Sequence, residues 1–84
     1  MEIYDSAHKH GVSDADIEHA LSHDLVAAED EEGKVLYLGP DRAGNLLEIV
    51  SVQREESGEL VIHAMAMRRT YEGLLRVTGD EDDA

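Results

Sequence analysis

Leu60-Val61-Ile62-His63-Ala64-Met65-Ala66-Met67 is the stretch whose reading decides the fold. Eight residues, all apolar except one histidine and free of Gly and Pro, read as a strand. Alternation places Leu60, Ile62, Ala64 and Ala66 on one side and Val61, His63, Met65 and Met67 on the other. Both sides are largely apolar, so helices cover one face and a loop, a partner or a substrate meets the other. Three similar runs precede it: Leu25 to Ala28, Val35 to Leu38 and Leu46 to Val52. They are separated by Asp30 to Gly33, Gly39 to Asn45 and Glu55 to Glu59, each a short connector containing glycine. Connectors of this length make hairpins and are too short for a parallel crossover. The runs therefore predict a sequential antiparallel meander, with the third and fourth strands central.

Ahead of the strands the period is helical. Ser13 opens a helix in a capping-box pattern with Asp16, and Asp14, Asp16 and Glu18 favour the positive end of its macrodipole. Ile17, Ala20 and Leu21 form its buried stripe. Ile3, Tyr4 and Ala7 give a shorter helical face that ends at Gly11. After the last strand, Tyr71, Leu74 and Leu75 suggest a short helix within Arg68 to Arg76, weakened by Gly73. The expected class is α+β: two short N-terminal helices, a four-stranded antiparallel β-meander and a short C-terminal helix. Residues 1–77 form a single domain, and residues 78–84 an acidic tail with too little apolar surface to offset ordering entropy.

At 84 residues, with no Trp, no Phe and three Tyr, the chain can bury only one small core, which a partner covering apolar surface would stabilise. A homodimer or a hetero-oligomer is expected on this ground. Cysteine is absent, which removes thiolate chemistry and fits a cytoplasmic protein. No apolar run approaches the roughly 18 residues a membrane helix needs. Seven Lys or Arg stand against twenty Asp or Glu, a net charge of −13 that repels nucleic acid and anionic membranes on average. The few cations gather in two places. His8, Lys9 and His10 sit at one helix end, and Arg68 and Arg69 lie just past the last strand, with Tyr71 beyond.

Other motifs are less specific. His19 and His23 lie four apart, at metal-binding spacing beside Asp24, but lack a third placed ligand, so a solvated helical face is the preferred reading and no metal is expected. Gly39 to Asn45 reads as a hairpin turn and Glu29 to Glu32 as a solvated loop.

His8-Lys9-His10-Gly11-Val12-Ser13, then Tyr37-Leu38-Gly39, then Gly44-Asn45-Leu46-Leu47-Glu48-Ile49-Val50, then a strand ending in Arg68 with Tyr71 after it, resembles the BrnT-like toxins of bacterial type II toxin–antitoxin systems. The resemblance spans roughly residues 5 to 72 and lies in the order of short motifs. It implies a compact RelE-like ribonuclease fold, metal-independent RNA cleavage without a cofactor, inhibition of translation, and neutralisation by a ribbon-helix-helix antitoxin. Matched residue by residue, it carries over Lys9, His10, Gly11 and Arg68, with Tyr71 a looser match. The family's Ser before the terminal Arg is replaced here, where Ala66 and Met67 stand.

The residues can be weighed apart from the family. Metal-free RNA cleavage needs a base for the 2′-OH, a cation for the phosphorane-like transition state and a donor for the leaving oxygen. His10 or His8 can be the base, Lys9 and Arg68 can hold phosphate, and Arg69, His63 or Tyr71 can assist, provided the first helix end folds over the end of the last strand. In the competing reading, Lys9 and His10 complement a helix end, Arg68 and Arg69 offset acidic neighbours, and Tyr71 packs. That version is a non-enzymatic interaction module, or a degenerate toxin that binds only a protein.

Overall fold

The computed structural model describes residues 1–56 and 58–79, the side chains of residues 76–79 excepted. Four strands form the expected antiparallel meander: β2 (Val26–Glu29), β3 (Lys34–Pro40), β4 (Leu46–Arg54) and β5 (Gly58–Ala66). Each end lies within about two residues of its sequence-based bound. Two of the hairpins are built alike. Asp30 Oδ1 accepts the backbone N–H groups of Glu32 and Lys34, and Asp41 Oδ1 accepts those of Ala43 and Asn45, all at 2.8–2.9 Å. Gly33 and Gly44 then reverse the chain at φ +87° and +90°, a conformation in which a Cβ would be strained.

The N-terminal segment departs from expectation. Instead of a first helix, β1 (Glu2–Ile3) lies parallel to β5, pairing Glu2 with Leu60 and Ile3 with Val61. A single 3-10 turn over Asp5–His8 follows. The sheet is therefore mixed and five-stranded, in the order β1-β5-β4-β3-β2. So short a segment cannot offset the cost of nucleating an α-helix, whereas β5 has an open edge that pairs with any extended neighbour. Tyr4 N–H donates to the Val61 carbonyl at 2.8 Å and Ser6 Oγ to the Ile62 carbonyl at 2.6 Å, so the edge is tracked beyond the strand itself.

Helix α1 (Asp14–Ser22) begins at the expected cap, with Asp16 N–H donating to Ser13 Oγ at 3.2 Å. The Asp16 carboxylate turns to the β3–β4 hairpin, where Oδ1 accepts both the backbone N–H and Nε of Arg42, at 3.0 and 2.8 Å. The bonds from Arg42 hold the Asp16 carboxyl below the usual carboxylate range. Ile17 and Ala20 pack with Ala7, Leu47, Ile49, Val61 and Ala64 to form the core, flanked by Ile3, Val12, Leu21 and Tyr37. Full burial of Ile17 alone contributes about 1.5–3 kcal/mol.

The alternation read along β5 is broken in the middle. Val50 pairs with His63 and Ser51 with Val61, which leaves Ile62 as a bulge. Val61 thereby joins Ala64 and Ala66 on the helix side, while Leu60, His63 and Met65 share the other face. On that second face the C-terminal segment folds back as a 3-10 turn over Arg69–Tyr71 leading into α2 (Glu72–Gly79). The helix runs past residue 77, the domain end expected from the sequence, and residues 80–84 of the acidic tail lie outside the described residues.

Among the described glycines, Gly39 is the one whose missing Cβ lets the sheet lie close against the end of α1. A Cβ there would penetrate the carbonyl oxygen of Ala20 and come within 3.1 Å of Asp24 Cα, both backbone atoms that cannot swing aside. Gly39→Ala should therefore lower the unfolding free energy by about 1–3 kcal/mol. Urea denaturation measures it, and an unchanged midpoint would show that α1 slides freely on the sheet.

Candidate active site around Glu48

Glu48 stands in the middle of β4, fully buried and on the face opposite α1. Its Oε1 accepts the backbone N–H of Arg68 at 2.9 Å and Arg68 Nε at 3.1 Å. Its Oε2 accepts Arg68 Nη2 at 2.8 Å and His63 Nε2 at 3.0 Å. Burial by itself would raise the carboxyl pKa, but the side-chain and backbone bonds from Arg68 and the bond from His63 outweigh it and hold the group below its ordinary value of 4.5. Glu48 is thus an anion at neutral pH. An anionic acceptor fixes the proton of a neutral His63 on Nε2 and leaves Nδ1 as the basic nitrogen.

The N-terminal segment reaches the same place. Following the β5 edge, the chain brings the His10 ring edge-on to His63, centroids 5.7 Å apart, and then turns at Gly11 with φ +81°. On the other side, the Arg68 guanidinium carbon lies 5.8 Å from the centre of the Tyr71 ring. His10, His63, Glu48, Arg68 and Tyr71 form one continuous line of contacts drawn from separate segments of the chain. The Arg68 side chain is 56% exposed, so one side of it binds Glu48 while the other faces solvent.

The remaining sequence candidates fall elsewhere or stand alone. Lys9 is exposed beside His10 and makes no ion pair among the described residues. His8 is committed to the junction with α1, its Nδ1 bonded to the Val12 carbonyl at 3.1 Å and its Nε2 2.9 Å from Asp14 Oδ1. Arg69 is exposed in the 3-10 turn. His19 and His23 stack at 4.2 Å, with Nδ1 of each bonded to a backbone carbonyl, Pro40 and His19 respectively. His19 is half-buried and ties α1 to β3, so this face is more than a solvated one. Among the described residues no three His, Asp or Glu gather at metal-binding distance.

Glu48 is the site residue that the sequence pattern does not reveal. Its one signal is a lone carboxylate inside the apolar run Leu46 to Val50. A second polar cluster, on the helix side, is equally hidden: Tyr37 Oη and the fully buried Ser51 Oγ both donate to Glu59 Oε2. Burial and the adjoining Glu59 carboxylate push the Tyr37 hydroxyl up to about 12. No family model, curated protein or solved structure matches the chain.

The lowered Glu48 pKa makes a stability statement. The folded state holds this carboxylate ionised more firmly than the unfolded chain does, so the contribution is present above about pH 4.5 and disappears as pH falls through the depressed folded value. Glu48→Gln should flatten that acid branch and lower stability at pH 7 by about 1–3 kcal/mol, since a neutral amide offers one acceptor oxygen and turns its own N–H donors toward Arg68 or His63. Thermal melts of both chains between pH 3 and pH 7 measure it. Parallel acid branches would assign the acid sensitivity to other carboxylates.

Proposed function

We propose that the protein is a toxin-like, metal-independent endoribonuclease of the BrnT type, which inhibits translation and is restrained by a small partner protein of the antitoxin kind. The observation that carries the reading is the meeting of His10 with His63, Glu48 and Arg68, by which two cation-bearing segments far apart in sequence converge on one buried carboxylate.

In this reading the neutral His63, held by Glu48 through Nε2, or the adjoining His10 takes the proton of the ribose 2′-OH. The 2′ oxygen attacks the phosphorus, the bond to the 5′ oxygen breaks, and the other imidazole, starting in its protonated form, donates its proton to that leaving oxygen. The products are a 2′,3′-cyclic phosphate and a 5′-hydroxyl. Lys9 and the solvent-facing side of Arg68 stabilise charge on the phosphoryl oxygens. Glu48 acts as a positioning residue. The interaction-module reading keeps one specific observation in its favour: Arg68 is already partly neutralised by Glu48 in a chain of net charge −13.

Cleavage of a structured RNA by the purified chain, in the presence of a chelator, tests the proposal. His10→Ala and His63→Ala should each lower the rate by about 10²–10⁴-fold, and Lys9→Ala by roughly thirty- to a thousandfold. Circular dichroism checks that each variant is folded. No cleavage and no growth arrest by the wild-type chain would leave the interaction module as the function.

A further inference from the structure

The opposite edge of the sheet carries a second surface. β2 is an edge strand in which Ala27, Ala28 and Glu29 are exposed, and Leu25 just before it is 55% exposed. The Asp30 N–H donates to the Lys34 carbonyl at 2.9 Å, which fixes the phase of the β2–β3 ladder. Alternation then turns the backbone N–H and C=O groups of Ala27 and Glu29 away from β3, toward the open edge. The strand holds no Pro and no Lys, the residues that commonly blunt an edge. Beside it, on the face opposite α1, a groove of about 320 Å³ is lined by Ala28, Leu36, Val50 and Tyr71, with Glu29, Asp30 and Lys34 at its rim.

Charge selects the occupant. Asp24 precedes the strand, and Glu29, Asp30, Glu31 and Glu32 close it, with Lys34 the cation nearest in sequence. A second copy added antiparallel would set the Glu29 to Glu32 run of each chain opposite Asp24 of the other, and a nucleic acid would meet the same like-charge repulsion. We propose that the β2 edge, with its adjoining groove, docks an extended segment of a partner protein whose apolar residues are flanked by Lys or Arg. The partner's backbone pairs with Ala27 and Glu29, one apolar side chain enters the groove beside Ala28, and its cations meet the acidic run. The proposal does not rest on the ribonuclease reading. Tyr71 is the one groove residue shared with the line of contacts at Glu48, and no residue altered in the test belongs to that line.

The probe is a short synthetic peptide of alternating valine and threonine flanked by paired lysines, titrated into the full chain by calorimetry. Binding should weaken about tenfold or more in Ala27→Pro, which removes an outward N–H without touching the ladder to β3. Replacing Glu31 and Glu32 by Gln should weaken it severalfold and reduce its salt dependence. In the wild-type chain, peptide should slow amide exchange at Ala27 and Glu29, a readout that needs no variant. Absence of binding at millimolar peptide would overturn the proposal. So would equal binding of a peptide flanked by glutamates, undiminished binding to folded Ala27→Pro, or self-association of the chain abolished by Ala27→Pro, which would assign the edge to a second copy.

Discussion

The buried charge of Glu48 is the constraint on which the second face of this sheet depends. Removing a carboxylate from water costs several kcal/mol, and that cost is offset only where donors surround both oxygens. Arg68 supplies three of them, counting its backbone N–H, and His63 the fourth. Because one donor is a main-chain group, the chain after β5 cannot leave without depriving the carboxylate of it. A charge in β4 thereby fixes both the exit direction of β5 and the orientation of the Arg68 side chain. An apolar residue at position 48 could fill the space, but it would leave the Arg68 N–H without this acceptor.

The same anion explains how distant segments form one site. The bulge at Ile62 places His63 on the Glu48 face while keeping Val61 in the core, so the strand serves packing and polar contact at once. β1 then carries the N-terminal segment along the free edge of β5, which brings His10 to His63 before the chain turns at Gly11. The N-terminal pairing is short, only two residues. Its consequence is large because Tyr4 and Ser6 extend it to the bulge itself.

The meander was legible because its signals are local: apolar runs, and turns headed by Asp and closed by Gly. The cap at Ser13 was legible for the same reason. β1 was not, since two residues carry no periodicity and their pairing is decided by an edge 58 residues away, the separation of Glu2 and Leu60. The bulge was hidden because the run from Leu60 to Met67 is apolar in either register, so the pattern of hydrophobicity cannot report which residue is extra. Among the site residues, clustering of scarce cations pointed to His10 and Arg68. It could not point to Glu48, because an acidic residue is ordinary by count among twenty and distinctive only by burial.

Burial also decides which member of the Glu48–Arg68 pair meets solvent. Over distances beyond about 8 Å at physiological ionic strength, exposed carboxylates are largely screened. The charges nearest Arg68 therefore weigh most, and there Glu48 is buried beneath the guanidinium while the exposed side faces solvent. A buried anion orients Arg68 and His63 without standing in the way, where a surface carboxylate would compete directly with an incoming phosphate. The remaining acidic field acts mainly on encounter: for an anionic ligand it slows approach at low salt, and added salt relieves it, the reverse of the dependence shown by a basic protein. For a cationic partner approaching β2 the sign is opposite. The two proposals therefore require opposite responses to ionic strength, and salt dependence separates an anionic ligand at Arg68 from a cationic partner at β2 even when both are engaged.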